Sequence, residues 1–219
     1  MTRGLGTGTS RRPRGRGSAR VKDAFTESVR LLAAVYARDA EAIERMGDVV
    51  AETASRGGVV FFAGNGGSAA EAQHFATELV CRYVKNRRAL PAIALSADTS
   101  VLTATGNDYG FDRVFARSLE ALGRRGDLLV AMSTSGRSRN VLAAIREARR
   151  RGMRVIGMTG AGGRAFAARC DECLVVPSQE TPRVQEVHLL VGHLWCEMAE
   201  ERARARRTAK RSRKRKRKP

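Results

Sequence analysis

His74 and Glu78 are an imidazole and a carboxylate four residues apart, the spacing that puts two side chains on one face of a helix. Such a pair can move protons or bind a metal ion. Just before them stands Gly64-Asn65-Gly66-Gly67-Ser68, whose three glycines let the backbone turn sharply and approach a ligand closely. Ser68 suits a helix N-cap, which aims free N–H groups and the positive helix end into that turn. A second polar group, Ser133-Thr134-Ser135-Gly136-Arg137-Ser138, follows a strong apolar run. An ordinary N-cap needs one hydroxyl, not four, and hydroxyls with backbone N–H groups coordinate phosphate oxygens. The first turn also has a purely structural reading, because glycine-rich strand-to-helix turns are common and this one matches neither G-x-G-x-x-G nor G-x-x-x-x-G-K-[ST].

The elements that must position these groups alternate. Apolar, β-favouring runs at 59–63, 92–95, 127–132, 154–159 and 173–176 predict five strands. Helical patterns fall near 67–83, 99–105, 112–122, 138–151 and 183–203. Strands apolar on both faces and joined by helices make a doubly wound parallel five-stranded α/β sheet, with ligands at the carboxyl ends of the strands. Two amphipathic helices over 23–55, carrying Phe25, Val29, Leu32 and Tyr36, then Ile43, Met46, Val49 and Val50, precede the first strand and suit a subunit interface. Thr159-Gly160-Ala161-Gly162-Gly163 is a third flexible loop on the ligand edge, and Asn107-Asp108-Tyr109-Gly110 reads as a polar turn. The last helix starts near Pro182 and carries Gln185, Glu186, His188 and His193 among apolar residues, where His188 reads as a satisfied core residue.

Across 219 residues the formal charge is +19, yet residues 23–201 carry 22 basic and 22 acidic groups and are neutral. The excess lies in residues 1–22, with seven basic groups, and 202–219, with twelve, neither containing an acid. Both read as disordered tails flanking one domain over 23–201, able to bind polyanions non-specifically. No apolar run approaches the roughly 20 residues of a membrane span, and the N-terminus has no apolar signal core, so a cytoplasmic location is expected. Cys81, Cys170, Cys173 and Cys196 are then expected to be reduced, and Cys170-Asp171-Glu172-Cys173 reads as structural rather than zinc or redox chemistry.

Together, Gly-Asn-Gly-Gly-Ser, Gln-His-Phe-Ala-Thr-Glu-Leu, Gly-Asn-Asp-Tyr-Gly, Ser-Thr-Ser-Gly and Val-Gln-Glu-Val-His-Leu-Leu-Val-Gly-His resemble the sugar isomerase (SIS) family, and within it the phosphoheptose isomerases. The resemblance spans roughly residues 23–200 and excludes both tails. It implies a SIS-type, flavodoxin-like fold with two N-terminal helices, assembled as a homotetramer with active sites between subunits. The implied activity converts sedoheptulose 7-phosphate to D-glycero-D-manno-heptose 7-phosphate. By resemblance, Ser133, Thr134, Ser135 and Ser138 hold the phosphate. Asn65, Gly66, Gly67, Ser68, Glu78, Asn107, Asp108 and Gln185 contact the substrate, and Glu78 and His193 form the proton-transfer pair. His74, Glu78, Gln185 and His193 match a zinc site found in some members, one ion per subunit. Gln185 and His193 lie about 12 Å apart along a continuous helix, so sharing one ion needs extended side chains, a frayed helix start or ligands from two subunits. Two other functions fit the same fold: a non-catalytic tetramer that binds the replication initiator DnaA, and an isomerase of another phosphosugar.

Overall fold

All five runs that are apolar on both faces become strands of one parallel sheet. The computed structural model describes the backbone of residues 15–216 and the side chains of residues 18–206. In chain order the elements are α1 (Gly15–Arg56), β1 (Val60–Ala63), α2 (Gly67–Val80), β2 (Ala92–Ala94), α3 (Thr99–Tyr109), a 3-10 turn (Phe111–Arg113) and α4 (Val114–Leu122). Then follow β3 (Leu128–Ser133), α5 (Arg139–Arg150), β4 (Arg154–Gly160), α6 (Arg164–Ala167), β5 (Glu172–Val176) and α7 (Thr181–Lys216). The strand order is β2-β1-β3-β4-β5, with Phe61 in register with Leu129, and Leu129 with Val155.

Alternate residues of each strand point to opposite faces, and each face has its own core. Val60, Phe62, Leu128, Val130, Met132, Ile156 and Met158 pack under α1, α2 and α7. Phe61, Ala63, Leu129, Ala131 and Val155 pack under α4, α5 and α6. The order reverses between β1 and β3: the chain leaves β1 through α2 on one face and leaves β3 through α5 on the other. A crevice therefore opens at the carboxyl ends of these two strands, where doubly wound sheets bind ligands.

Several sequence expectations are corrected. The two N-terminal helices are one, α1, of 42 residues. Once a helix is nucleated each further residue adds a bond, so the roughly 1 kcal/mol that Gly47 costs does not break it. α7 packs tightly on Gly47, where a Cβ would overlap the Met198 sulfur and the Trp195 ring. The predicted disordered tails are helical where the backbone is described: α1 begins at Gly15 and α7 continues to Lys216. Arg, Lys and Ala are good helix formers, and Arg202 reaches Asp48 at 3.3 Å and Glu52 at 3.6 Å, while Arg206 reaches Ser55 Oγ at 3.2 Å. Residues 1–14 and 217–219 of those tails lie outside the described residues. Asn107 and Asp108 belong to the last turn of α3, not to a turn, and the helix stops at Gly110 with φ +84°. Among the described residues no helix is long and apolar enough to cross a membrane.

Candidate active site

The α2 helix starts at Gly67, with Gly66 in the N-cap position and no side-chain cap. Ser68 is thus not the cap: it lies in the first turn, 3% exposed. Across the crevice, the loop after β3 folds around Gly136, whose φ of +66° favours glycine and whose N–H donates to Ser133 O at 3.0 Å. A Cβ at Gly136 would collide with Gly163 Cα, so the loops after β3 and β4 touch there. Ser133 Oγ and Ser138 Oγ are 3.0 Å apart, Ser135 Oγ accepts from Arg137 N at 3.2 Å, and Thr134 Oγ1 meets Thr181 Oγ1 at 3.3 Å. The hydroxyls are gathered at the mouth of α5, where the first-turn N–H groups other than that of Val141 have no intrahelical acceptor and face an anion.

Asn65 and Asn140 join the two halves. Asn65 Nδ2 donates to Asn140 Oδ1 at 2.9 Å and Asn140 Nδ2 donates back to Asn65 Oδ1 at 2.8 Å. Asn140, 2% exposed, also accepts from Val141 N at 2.9 Å. The Asn65 amide is therefore occupied by this clamp. Asn140 escaped the sequence reading; its only signal was a polar residue on the buried stripe of α5 with Val141 and Ala144.

The α2 and α7 helices run side by side in the same direction and bring the acid–base groups together. The Gln185 amide lies against Gly67, so closely that a Cβ on that glycine would overlap it. Two turns further along, His74 Nε2 and His193 Nε2 are 2.7 Å apart, and His74 Nε2 lies 3.8 Å from Glu78 Oε1. Glu78 Oε2 is buried with no hydrogen-bond partner. The rings of Phe75 and Tyr83 stand 6.4 and 5.8 Å from that of His193. Gln185 and His193 thus reach one α2 surface within a single subunit, because Gln185 sits in the opening turns of α7 and meets the beginning of α2 while His193 meets its middle. Asn107 and Asp108 are exposed and bonded to each other at 2.7 Å, away from these contacts.

The donor types suit zinc: two imidazoles, a carboxylate with a free buried oxygen, and an amide. The spacing does not yet: two nitrogens on one tetrahedral ion stand about 3.3 Å apart. At 2.7 Å the two rings share a hydrogen bond instead. Accordingly, among the described residues no group of three or more His, Cys, Asp or Glu is arranged to hold a metal.

The segment that carries Tyr83 is fastened from α7. Glu200, 3% exposed, accepts from the backbone N–H groups of Tyr83, Val84 and Lys85 at 3.1, 3.3 and 2.7 Å, and lies 3.7 Å from Arg87 Nε. Arg87 donates in turn to Glu78 O and Leu79 O, both at 2.7 Å, so the end of α2 beside Glu78 is held too.

Two buried ionisable groups flank the cluster. His188, 0% exposed, is a core histidine whose one polar contact, with the Thr159 backbone, falls short of a well-formed hydrogen bond. Burial pushes its pKa down to about 4, against a smaller opposing effect of the Thr159 backbone. Glu71, 8% exposed, was missed by the sequence reading although it falls on the buried stripe of α2 with Ala72 and Phe75. Burial raises its pKa to about 7, and a hydrogen bond with Ser68 opposes this. The signs are opposite. The folded state holds the Glu71 proton more tightly than the unfolded one, so stability falls as pH rises from about 4.5 to 7; His188 makes stability rise from about 4 to 6.5. Each displacement is worth roughly 3 kcal/mol. Glu71→Gln removes only the first. Urea unfolding at pH 4.5 and 7.5 is expected to show the variant gaining roughly 3 kcal/mol on the parent across that range. A constant difference refutes the assignment.

A SIS domain profile matches residues 24–160. The phosphoheptose isomerase of Rhodospirillum rubrum is 56% identical over 162 residues, covering 74% of this chain and 86% of that protein. The phosphoheptose isomerase of Burkholderia pseudomallei is 46% identical over 182 residues, 82% of this chain and 92% of that protein. The structure of phosphoheptose isomerase GmhA from Neisseria gonorrhoeae superposes with a TM-score of 0.79 at 42% identity, covering 84% of this chain and 98% of that one. A crevice with a hydroxyl-rich loop, and a His–Glu–His cluster two turns along α2 from it, thus stand on a fold shared with these enzymes, and the chain belongs to the SIS domain family as a phosphosugar isomerase of the phosphoheptose isomerase group.

Proposed function

We propose that the chain isomerises sedoheptulose 7-phosphate to D-glycero-D-manno-heptose 7-phosphate through an enediol, in the cytoplasm. The observation that carries this reading is the convergence of His74, Glu78 and His193 between α2 and α7, two helices whose opening ends meet the hydroxyl loop through the Asn65–Asn140 and Thr181–Thr134 contacts. Ser133, Thr134, Ser135 and Ser138 hold the phosphate, and the N-terminal turn of α5 adds backbone N–H groups. Ketose-to-aldose isomerisation takes a proton from C1, gives one to the carbonyl oxygen, and returns one to C2 after the C1 hydroxyl loses its own. Glu78 and His193 serve as the pair that moves these protons, a carboxylate and an imidazole that both adjoin His74. The Asn65–Asn140 clamp keeps the sugar-binding turn at a fixed distance from the phosphate loop.

Zinc is part of this proposal, with His74, Glu78, Gln185 and His193 as its ligands. When bound it would polarise the substrate carbonyl as a Lewis acid. Its entry would require the two imidazoles to separate by about half an ångström and the Gln185 amide, which lies against Gly67, to turn towards them. A homotetramer is also proposed. Exposed Val21, Phe25, Val29 and Tyr36 recur along one side of α1, and Leu189, Leu190 and Leu194 are exposed on α7 around His193. Apolar rows of this kind fit faces that cover each other in symmetric copies and place the site near the contact.

Turnover of sedoheptulose 7-phosphate by the purified protein, with zinc added and with chelator, tests the reading. Conversion is expected, together with about one zinc per chain by elemental analysis. No conversion in either condition overturns the substrate assignment, and full activity in metal-free protein overturns the zinc assignment.

A further inference from the structure

Two thiols meet on the face of the sheet that α4, α5 and α6 cover. Gly157 of β4 has no side chain there, and Cys170 Sγ and Cys173 Sγ fill the space that a Cβ would take. Both sulfurs lie 2.7 Å from that one point, so at most twice that length separates them. Cys170 stands in the turn after α6, and Cys173 is on β5, in register with Gly157. Both are free and half-buried, on the strand at the margin of the sheet rather than in its centre. Cys170 Sγ donates to Phe166 O at 3.5 Å and Cys173 Sγ to Leu174 O at 3.7 Å. A hydrogen bond with Cys170, with burial adding to it, pushes the Cys173 pKa up. The spacing alone reads as structural; the meeting of both sulfurs over one glycine argues for chemistry. Zinc takes four ligands, and among the described residues no group of three or more His, Cys, Asp or Glu is arranged to hold a metal. Two thiols in a Cys-x-x-Cys spacing suit a dithiol that closes to a disulfide.

The pair is one short helix away from the hydroxyl loop. Cys170 is tied to α6 twice, through its N–H to Ala167 O at 3.0 Å and through its sulfur to Phe166 O. Phe166, 0% exposed, sets its ring against Gly157, and its Cβ is 3.1 Å from where a Cβ on Gly136 would stand. Gly163, the residue that opens α6, touches Gly136 as well. The α6 helix has four residues, about one turn, so its two ends cannot move independently. A disulfide draws its sulfurs to about 2.05 Å and keeps no S–H. Closure therefore pulls Cys170 towards Cys173 and ends its donation to Phe166 O.

We infer that Cys170 and Cys173 form a reversible dithiol–disulfide pair whose closure shifts α6 and weakens anion binding at the loop after β3. The oxidant is a low-molecular-weight disulfide such as glutathione disulfide. Cys170, as thiolate, attacks one of its sulfurs and expels one glutathione thiolate; Cys173 then attacks the Cys170 sulfur of the mixed disulfide and expels the second. Two protein thiols are oxidised, one external disulfide is reduced to two thiols, and the two protons pass to the departing thiolates. Cys173 holds its proton more tightly, which makes Cys170 the first to attack. The pairing stands without the substrate assignment, whereas its effect on anions rests on the reading of the hydroxyl loop as the phosphate site.

The full chain incubated with glutathione disulfide or with reduced glutathione, then alkylated and mapped by peptide mass spectrometry, tests the pairing. A Cys170–Cys173 linkage that dithiothreitol reverses is expected after oxidation. Calorimetric titration with inorganic phosphate tests the coupling. Oxidation should weaken phosphate binding at least about 5-fold, the lower end of ordinary coupling between sites. The same loss is expected in Cys81→Ser, which removes the exposed thiol able to link two chains, and no loss in Cys170→Ser. Glutathione retained on Cys170, or linkage through Cys81 alone, overturns the pairing. An internal linkage with unchanged phosphate affinity overturns the coupling. Reduced protein that binds no phosphate overturns the loop reading and the coupling with it, while the peptide map still decides the pairing.

Discussion

Replacing Glu78 with Gln, or His193 with Ala, is expected to lower kcat by at least roughly 10²–10⁴-fold, the usual contribution of a positioned acid or base. Neither change should unfold the protein. Glu78→Gln keeps the shape of a side chain that is 19% exposed, and His193→Ala removes a ring that packs on His74, Phe75 and Tyr83 at the rim of the core rather than inside it. The two variants separate two roles. Glu78→Gln leaves the 2.7 Å bond between His74 and His193 in place and removes only the ionisable oxygen pair, whereas His193→Ala dissolves that bond. Circular dichroism, steady-state kinetics and inhibition by inorganic phosphate measured together decide the matter. Phosphate should compete equally well in both variants, because the hydroxyl loop touches neither residue. An unchanged kcat in either one removes that residue from the proton-transfer pair.

Glu200→Ala should be the most destabilising single change at a charged position. It strips an ion-pair partner from Arg87 and an acceptor from three consecutive backbone N–H groups, in a place where the two side chains are 2% and 4% exposed. Breaking a buried pair from one side costs roughly 3–5 kcal/mol because the remaining charge stays out of water. In a domain of this size that lowers Tm by about 6–20 °C. The loss should extend to function, since the segment so fastened carries Tyr83 beside His193, and Arg87 holds the Glu78 carbonyl. Replacing both residues, Arg87→Met with Glu200→Leu, should recover only the part due to the orphan charge, because the N–H groups of residues 83–85 and the carbonyls of Glu78 and Leu79 still lose their partners. Thermal unfolding of the single and double variants checks this. A single variant within 1 kcal/mol of the parent shows that water reaches the pair.

The sheet was legible because its signal is strong and local: short runs such as Leu128-Leu129-Val130-Ala131-Met132, apolar on both faces, have few alternatives to a buried parallel strand. The hydroxyl loop and the Gly-Asn-Gly-Gly turn were legible for the same reason, as each is contiguous in sequence. What escaped depends on pairs distant along the chain. Asn140 acquires its meaning only from Asn65, 75 residues away, and Glu200 only from Arg87 and the backbone of residues 83–85. The continuity of α1 escaped because the apolar spacing lapses between Tyr36 and Ile43, although residues 37–42 contain no glycine or proline that would end a helix. The helical end of α7 escaped because like-charge repulsion was weighed without Asp48, Glu52 and Ser55, which receive it.

The parallel course of α1 and α7 has a consequence for what an approaching substrate experiences. Both helices start at the crevice end of the domain and finish at the other, so cations near the described end of α7, such as Arg202 and Arg206, are carried away from the reaction rather than towards it. From Gln185 to Arg206 the helix covers about 32 Å. At physiological ionic strength the Debye length is about 8 Å, so that span is about four screening lengths and the cationic pole is electrically invisible from the crevice. A sugar phosphate arriving there meets the cations near the start of α1, Arg20 and Lys22 among them, and not those of the far pole.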